Sequence, residues 1–219
     1  QQGITLENCP QALNCRQELG QLVDDLLPLE AGQALDAAGQ VPATGGNFSC
    51  RLSDRLMAVT ASGCHKGRLT SGDILVSDFA VRLQGTSRKA SDEARLHGQL
   101  YQDRPEVGAV LHTHSRAATV LSRLIEGDTL WLEGFELQKA IEGVTRHDTT
   151  LAVPIVDNDQ DIAALAEVVR ERLLGLDTRA YLIRGHGLYT WARDMSGCLR
   201  QVEALDFLFD CELMMRRTR

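Results

Sequence analysis

The chain has 219 residues, 43% of them hydrophobic, and its 23 lysines and arginines are outnumbered by 30 aspartates and glutamates, a formal charge of −7. That length suits a single domain with one core, and that charge excludes a generic binder of nucleic acid or anionic membranes, so any bound anion has to be met by a local basic pocket. No apolar run approaches a membrane span, and Gln1-Gln2-Gly3-Ile4-Thr5 has no basic and then apolar leader pattern, so a cytoplasmic location is expected.

In chain order, Leu13, Leu19, Leu22, Val23, Leu26 and Leu27 recur at helical spacing, and Pro28 can open a second helix running to Gly39; together they predict an N-terminal helical layer over residues 11–39. The breaker-rich run from Val41 to Gly46 leads into a strand at Asn47-Phe48-Ser49, with Leu56–Thr60 as its hairpin partner. Ile74–Ser77 and Val81–Leu83 read as short strands, and Ser91 as the N-cap of a helix reaching Tyr101. Ser115 can cap a helix that Gly127 ends. Leu151–Val156 reads as a strand in which Pro154 suggests an edge or irregular position. Asp159 or Asp161 opens a helix stopped by Gly175. Tyr181–Arg184 and Leu188–Trp191 read as strands, and a last amphipathic helix ends in Arg216-Arg217-Thr218-Arg219. This order predicts an α/β fold with helices on both faces of a mixed sheet, largely antiparallel because several connections are too short for crossovers.

Six cysteines without a C-x-x-C pair, in a chain long enough for an ordinary core, are expected to be reduced thiols. Cys64, between Ser62-Gly63 and His65-Lys66, reads as a small filler in a turn rather than a nucleophile.

Chemistry concentrates where the apolar run Val107–Leu111 breaks into His112-Thr113-His114. On a strand, i and i+2 share a face, and two neutral imidazoles at a strand end are a start on a zinc, iron or manganese site. His186, flanked by Gly185 and Gly187 after another apolar run, is the expected third ligand. Three histidines leave coordination positions open for Lewis-acid chemistry. Three further stretches carry anion-binding groups: Gly45-Gly46-Asn47, Thr60-Ala61-Ser62-Gly63 with Lys66, and Lys89 with Ser91. Metal and anion groups together suggest a phosphorylated carbonyl substrate.

Gly46-Asn47-Phe48-Ser49, Ala61-Ser62-Gly63, Ser91-Asp92-Glu93 followed by His97, His112-Thr113-His114 and Gly185-His186-Gly187, in that order, resemble the class II aldolase and adducin family of zinc-dependent sugar-phosphate enzymes, from about Leu13 to Leu213. The resemblance implies a three-layer α/β/α fold, a ring-like homotetramer, a small sugar-phosphate substrate, and Zn2+, with Fe2+ or Mn2+ as alternatives, held by His112, His114 and His186. Asn47, Ser62, Gly63, Lys66, Lys89 and Ser91 are the expected phosphate-binding residues. Within the family the chain looks most like a dehydratase branch, which points to Glu136 as acid/base; in an aldolase branch the catalytic carboxylate falls at Glu93. Glu136 is the preferred expectation, with Glu93 otherwise a first-turn glutamate stabilised by the helix dipole. An aldolase or epimerase is the nearest alternative, and a non-catalytic adducin-like module the more distant one. His97 is expected to support the site rather than join it, and His147 to sit in a loop.

Overall fold

The computed structural model describes residues 28–217, so the helix expected over residues 13–27 and Cys9 and Cys15 lie outside the described residues. The elements are α1 (Pro28–Ala37), β1 (Asn47–Arg51), β2 (Leu56–Thr60), β3 (Ile74–Asp78), α2 (Ala94–Asp103), β4 (Ala109–Thr113), α3 (Arg116–Leu124), β5 (Thr129–Leu132), β6 (Leu151–Val156), α4 (Ile162–Leu173), β7 (Ala180–Ile183), β8 (Gly187–Ala192) and α5 (Met195–Arg217). The strands form one eight-stranded sheet in the order β3-β2-β1-β4-β8-β7-β6-β5. Every neighbouring pair is antiparallel except β6 with β7.

Side-chain alternation sorts the core into two sides. Val110 of β4 and Tyr189 and Trp191 of β8 pack with α2 and α4, through Leu96, Leu100, Leu165 and Val169. Ala109 and Leu111 of β4 face the other way, onto α1 and α5, through Leu35, Cys198 and Val202. Beyond them α3 and α5 cover Leu182 and Leu188 with Leu121, Leu205 and Phe209. The result is the three-layer α/β/α arrangement. Strands β4 and β8, at the middle of the sheet, are buried on both faces, and a fully buried leucine there, Leu111 or Leu188, contributes about 1.5–3 kcal/mol.

Several elements differ from the sequence-based expectation. Val81–Leu83 is not a strand: Val81 takes a φ of +63°, and only an isolated bridge joins Ser77 to Leu83. The helix expected from a Ser91 cap begins at Ala94, with Glu93 in the capping place; the Ser91 hydroxyl accepts a long 3.4 Å bond from the Glu93 amide one turn earlier. Pro154 is inside β6, the second strand from the edge. The amide of Ile155 donates toward the β5 side, to Asp128, so the Pro154 nitrogen faces β7, where pairing starts only at Ile155. The short edge strand β5 was not anticipated, since Thr129-Leu130-Trp131-Leu132 is too brief to show a period, and Trp131 is largely exposed. Two caps match expectation: Ser115 accepts from the Ala118 amide at 3.1 Å, and Asp161 accepts from Ala163 and Ala164. Among the described residues no helix is long and apolar enough to cross a membrane.

Candidate metal centre

Register carries the three histidines together. His112 sits opposite Tyr189 on β8, His114 follows β4, and His186 fills the tight turn between β7 and β8, beside the end of β4. A Cβ on Gly187 would come within 2.0 Å of the Thr113 carbonyl, so only glycine lets that turn close on β4. The His186 carbonyl accepts from the Thr119 hydroxyl of α3 at 3.0 Å, the Gly185 amide donates to Ser122 at 3.0 Å, and the His114 amide donates to the Gln40 carbonyl at 2.7 Å. None of these supports is visible as a motif.

The three Nε2 atoms converge, at 2.9 Å (His112 to His114), 3.1 Å (His114 to His186) and 3.3 Å (His112 to His186). A tetrahedral ion about 2.0–2.1 Å from each nitrogen would space its ligand atoms about 3.3 Å apart, so the triad fits a divalent metal. Three nitrogens crowded together without a cation would set lone pairs or protons against one another. Nδ1 of His112 donates to the Leu188 carbonyl at 2.9 Å, which leaves the Nε2 lone pair directed at the cluster. Below it the His112 ring stacks on Tyr189, centroids 4.0 Å apart, and Tyr189 stacks on Tyr181 at 4.8 Å. Burial holds the His112 imidazole well below the usual histidine range and brings His114 down to about 4, favouring the neutral rings that bind metals.

Glu93 belongs to the same cluster. Its carboxylate lies 3.1 Å from Nε2 of His186 and 3.6 Å from Nε2 of His112, and it accepts a 2.7 Å bond from the Asn47 amide. Burial pushes its pKa up, but the His186 hydrogen bond and the histidine charges outweigh this and hold it at about 2. Because the carboxylate is turned to Asn47 and the histidines, it makes no capping bond to its own helix. One turn on, His97 is fully buried; its Nδ1 meets the Ser49 hydroxyl at 2.7 Å, and burial lowers its pKa to about 3. It supports the layer beneath the site.

Glu136 is elsewhere. β4, β7 and β6 all end, and β8 and β5 begin, on the histidine side of the sheet; β5 then runs to Leu132, opposite Leu151, at the far side. Glu136 follows on a 3-10 turn, Glu136–Ala140, with its side chain 71% exposed and paired with Lys139 and His147. The fold therefore separates the two carboxylates that the sequence left in competition, and within one chain it brings only Glu93 to the histidines.

The expected phosphate groups divide in the same way. Ser62 and Gly63 form an exposed turn whose Ser62 amide donates to the Lys89 carbonyl at 2.9 Å, and Ser91 lies just beyond on the path to Glu93, so these residues share one rim. Asn47 is buried against Glu93. Lys66 is covered, and its ammonium bonds two backbone carbonyls, so the direct phosphate contact expected of it is not what the geometry offers. Cys50, Cys64, Cys198 and Cys211 are all free. Cys64 lies 3.2 Å from Asp73 and 3.1 Å from Arg88, and burial pushes its thiol up, as befits a turn residue rather than a nucleophile.

The model of the class II aldolase and adducin N-terminal domain matches residues 28–213. The chain belongs to the class II aldolase and adducin family. Relatives within it include the methylthioribulose-1-phosphate dehydratase of Pseudomonas syringae pv. syringae, 54% identical over 192 residues, covering 86% of this chain and 93% of the relative. That of Marinobacter nauticus is 52% identical over 193 residues, covering 87% and 93%. Among solved structures, the L-fuculose-1-phosphate aldolase of Thermus thermophilus superposes with a TM-score of 0.70 at 26% identity, over 90% of this chain and 96% of that one. The family likeness agrees with the α/β/α layers and with the three-histidine cluster.

Proposed function

We propose that this chain is a metal-dependent hydro-lyase that dehydrates 5-methylthioribulose 1-phosphate to 2,3-diketo-5-methylthiopentyl 1-phosphate, a step of methionine salvage. The observation that carries the reading is a carboxylate set against three converging imidazole nitrogens, in a chain more than half identical over the matched residues to dehydratases of that name. His112, His114 and His186 would hold the ion, Zn2+ in the first instance with Fe2+ or Mn2+ as alternatives. A divalent ion there supplies Lewis acidity toward the substrate's carbonyl.

The chain's own groups then account for the proton movements. A glutamate takes the proton from the carbon beside the carbonyl, the hydroxyl on the next carbon leaves with a proton as water, and the resulting enol becomes the second ketone. Glu93, ionised and held by Asn47, would do this within one chain. Glu136, at the opposite end of the sheet, can serve only a site on a neighbouring copy, which fits a homotetramer with sites between subunits. The rim formed by Ser62, Gly63, Lys89 and Ser91 is assigned to the phosphate.

The second reading is an aldolase, favoured by the position of Glu93, the carboxylate of the aldolase branch, against the histidines. Proton NMR in D2O separates the two. A dehydratase gives the diketone from methylthioribulose 1-phosphate with loss of the proton next to the carbonyl. Two carbon fragments from the same substrate would replace this proposal with the aldolase.

A further inference from the structure

Lys66 is 1% exposed, as deeply buried as the core leucines, yet no carboxylate lies within ion-pair distance of it among the described residues. It sits on a 3-10 turn, Lys66–Arg68, pressed against α1, where a Cβ on Gly32 would come within 2.2 Å of the Lys66 carbonyl. Its Nζ donates to the Thr44 carbonyl at 2.9 Å and to the Cys64 carbonyl at 2.7 Å. Burial lowers its pKa, and the charge of Glu93 works in the opposite direction. A buried cation with no carboxylate in contact is costly, since a distant charge offsets only part of its lost hydration, and its persistence calls for a compensating role.

The two carbonyls belong to two different loops. Thr44 precedes Gly45, where a Cβ would meet His114 Nδ1 at 2.8 Å, so that loop rests on a histidine of the cluster. Cys64 closes the Ser62-Gly63 turn, which is tied to the Lys89 segment by the Ser62 amide and by a bridge between Ala61 and Ala90. One ammonium thus links the loop beside the metal ligands to the rim beside Lys89.

We propose that Lys66 is a positioning residue whose buried charge fixes the spacing between these two loops and, from beneath them, complements the phosphate monoester of the substrate without touching it. The proposal rests on the sugar-phosphate reading above. It assigns specificity for a charged substrate end to a side chain that solvent does not reach.

Calorimetric titration of inorganic phosphate into the metal-loaded protein at constant ionic strength tests it, with metal content and Tm measured on every sample. Wild type should bind phosphate, and Lys66→Met should bind it roughly tenfold or more weakly with unchanged metal content and a KM raised in parallel. Lys66→Gln, which keeps a donor and loses the charge, should behave like Lys66→Met, and Lys66→Arg should stay within about threefold of wild type. A purely structural brace would lower Tm and leave the phosphate affinity of the folded, metal-loaded variant unchanged. Wild-type affinity in either uncharged variant therefore overturns the proposal. So does a wild-type protein that turns over methylthioribulose 1-phosphate but does not bind phosphate. Phosphate binding lost in Lys66→Met, with no turnover of that substrate by wild type, would instead sink the functional reading and leave Lys66 its role.

Discussion

The two ends of this sheet carry the same residue type in opposite circumstances. Glu93 is half-buried, held by Asn47 and set against His112 and His186; Glu136 stands in solvent beside Lys139 and His147. A carboxylate becomes a useful base when neighbours fix its geometry and protonation, and only the first end does so within one chain. The second becomes chemically relevant only if another copy lends it a metal site. Location in the fold, rather than residue identity, separates them.

The largest test removes the reference point of that comparison. His112→Ala, His114→Ala and His186→Ala should each purify with little bound metal and negligible turnover, because a three-ligand site has no spare ligand; His147→Ala should keep its metal. Elemental analysis reads the result, and a full complement in His186→Ala would remove it from the ligand set.

Next come the two glutamates. Whichever is the acid/base should lose about 10²–10⁴ in turnover as the glutamine variant, with metal retained, and the other should be milder. Subunit mixing then sharpens the contrast. If Glu136 acts on a neighbour's site, assemblies mixed from Glu136→Gln and His186→Ala chains should recover activity that neither shows alone. Recovery absent under conditions where mixed assemblies form would place the chemistry within one chain, at Glu93. Asn47→Ala should cost less, roughly ten- to a hundredfold in turnover, the worth of one hydrogen bond to a charged group, and steady-state kinetics decides it.

How far the sequence spoke differs between these regions. The i, i+2 histidines and the glycine-flanked His186 were legible because strand periodicity and turn chemistry are local. So were most strands and the caps at Ser115 and Asp161. That Glu93 and Glu136 end up on opposite sides of the sheet was not, because it depends on strand order and on β5, a four-residue strand with an exposed tryptophan. The burial of Lys66 was equally hidden, since it arises from packing against Gly32 more than thirty positions away.

A separate effect, on stability rather than turnover, concerns the layer beneath Glu93. Burial holds His97 at about 3 against an ordinary 6.5, so between those values the unfolded chain binds a proton that the folded chain does not. Stability should therefore fall as pH drops through that window, by up to about 1.4 kcal/mol per pH unit from this one group. Denaturant titrations of His97→Asn should show a shallower decline over the same range, and an unaltered slope would exclude His97 as its source.

The Tyr181-Tyr189-His112 stack bears on metal selection. If His112 binds the ion, its ring, clamped between a packed aromatic face and a backbone carbonyl, has little rotational freedom left to lose and little ability to swing toward an ion that prefers another shape. Intrinsic affinities rise along the first-row divalent metals to copper whatever the protein, so a stiff ligand set discriminates through the coordination shapes it refuses. Replacing Tyr189 with a smaller side chain should thus broaden the range of ions the site accepts before it weakens the binding of any one of them.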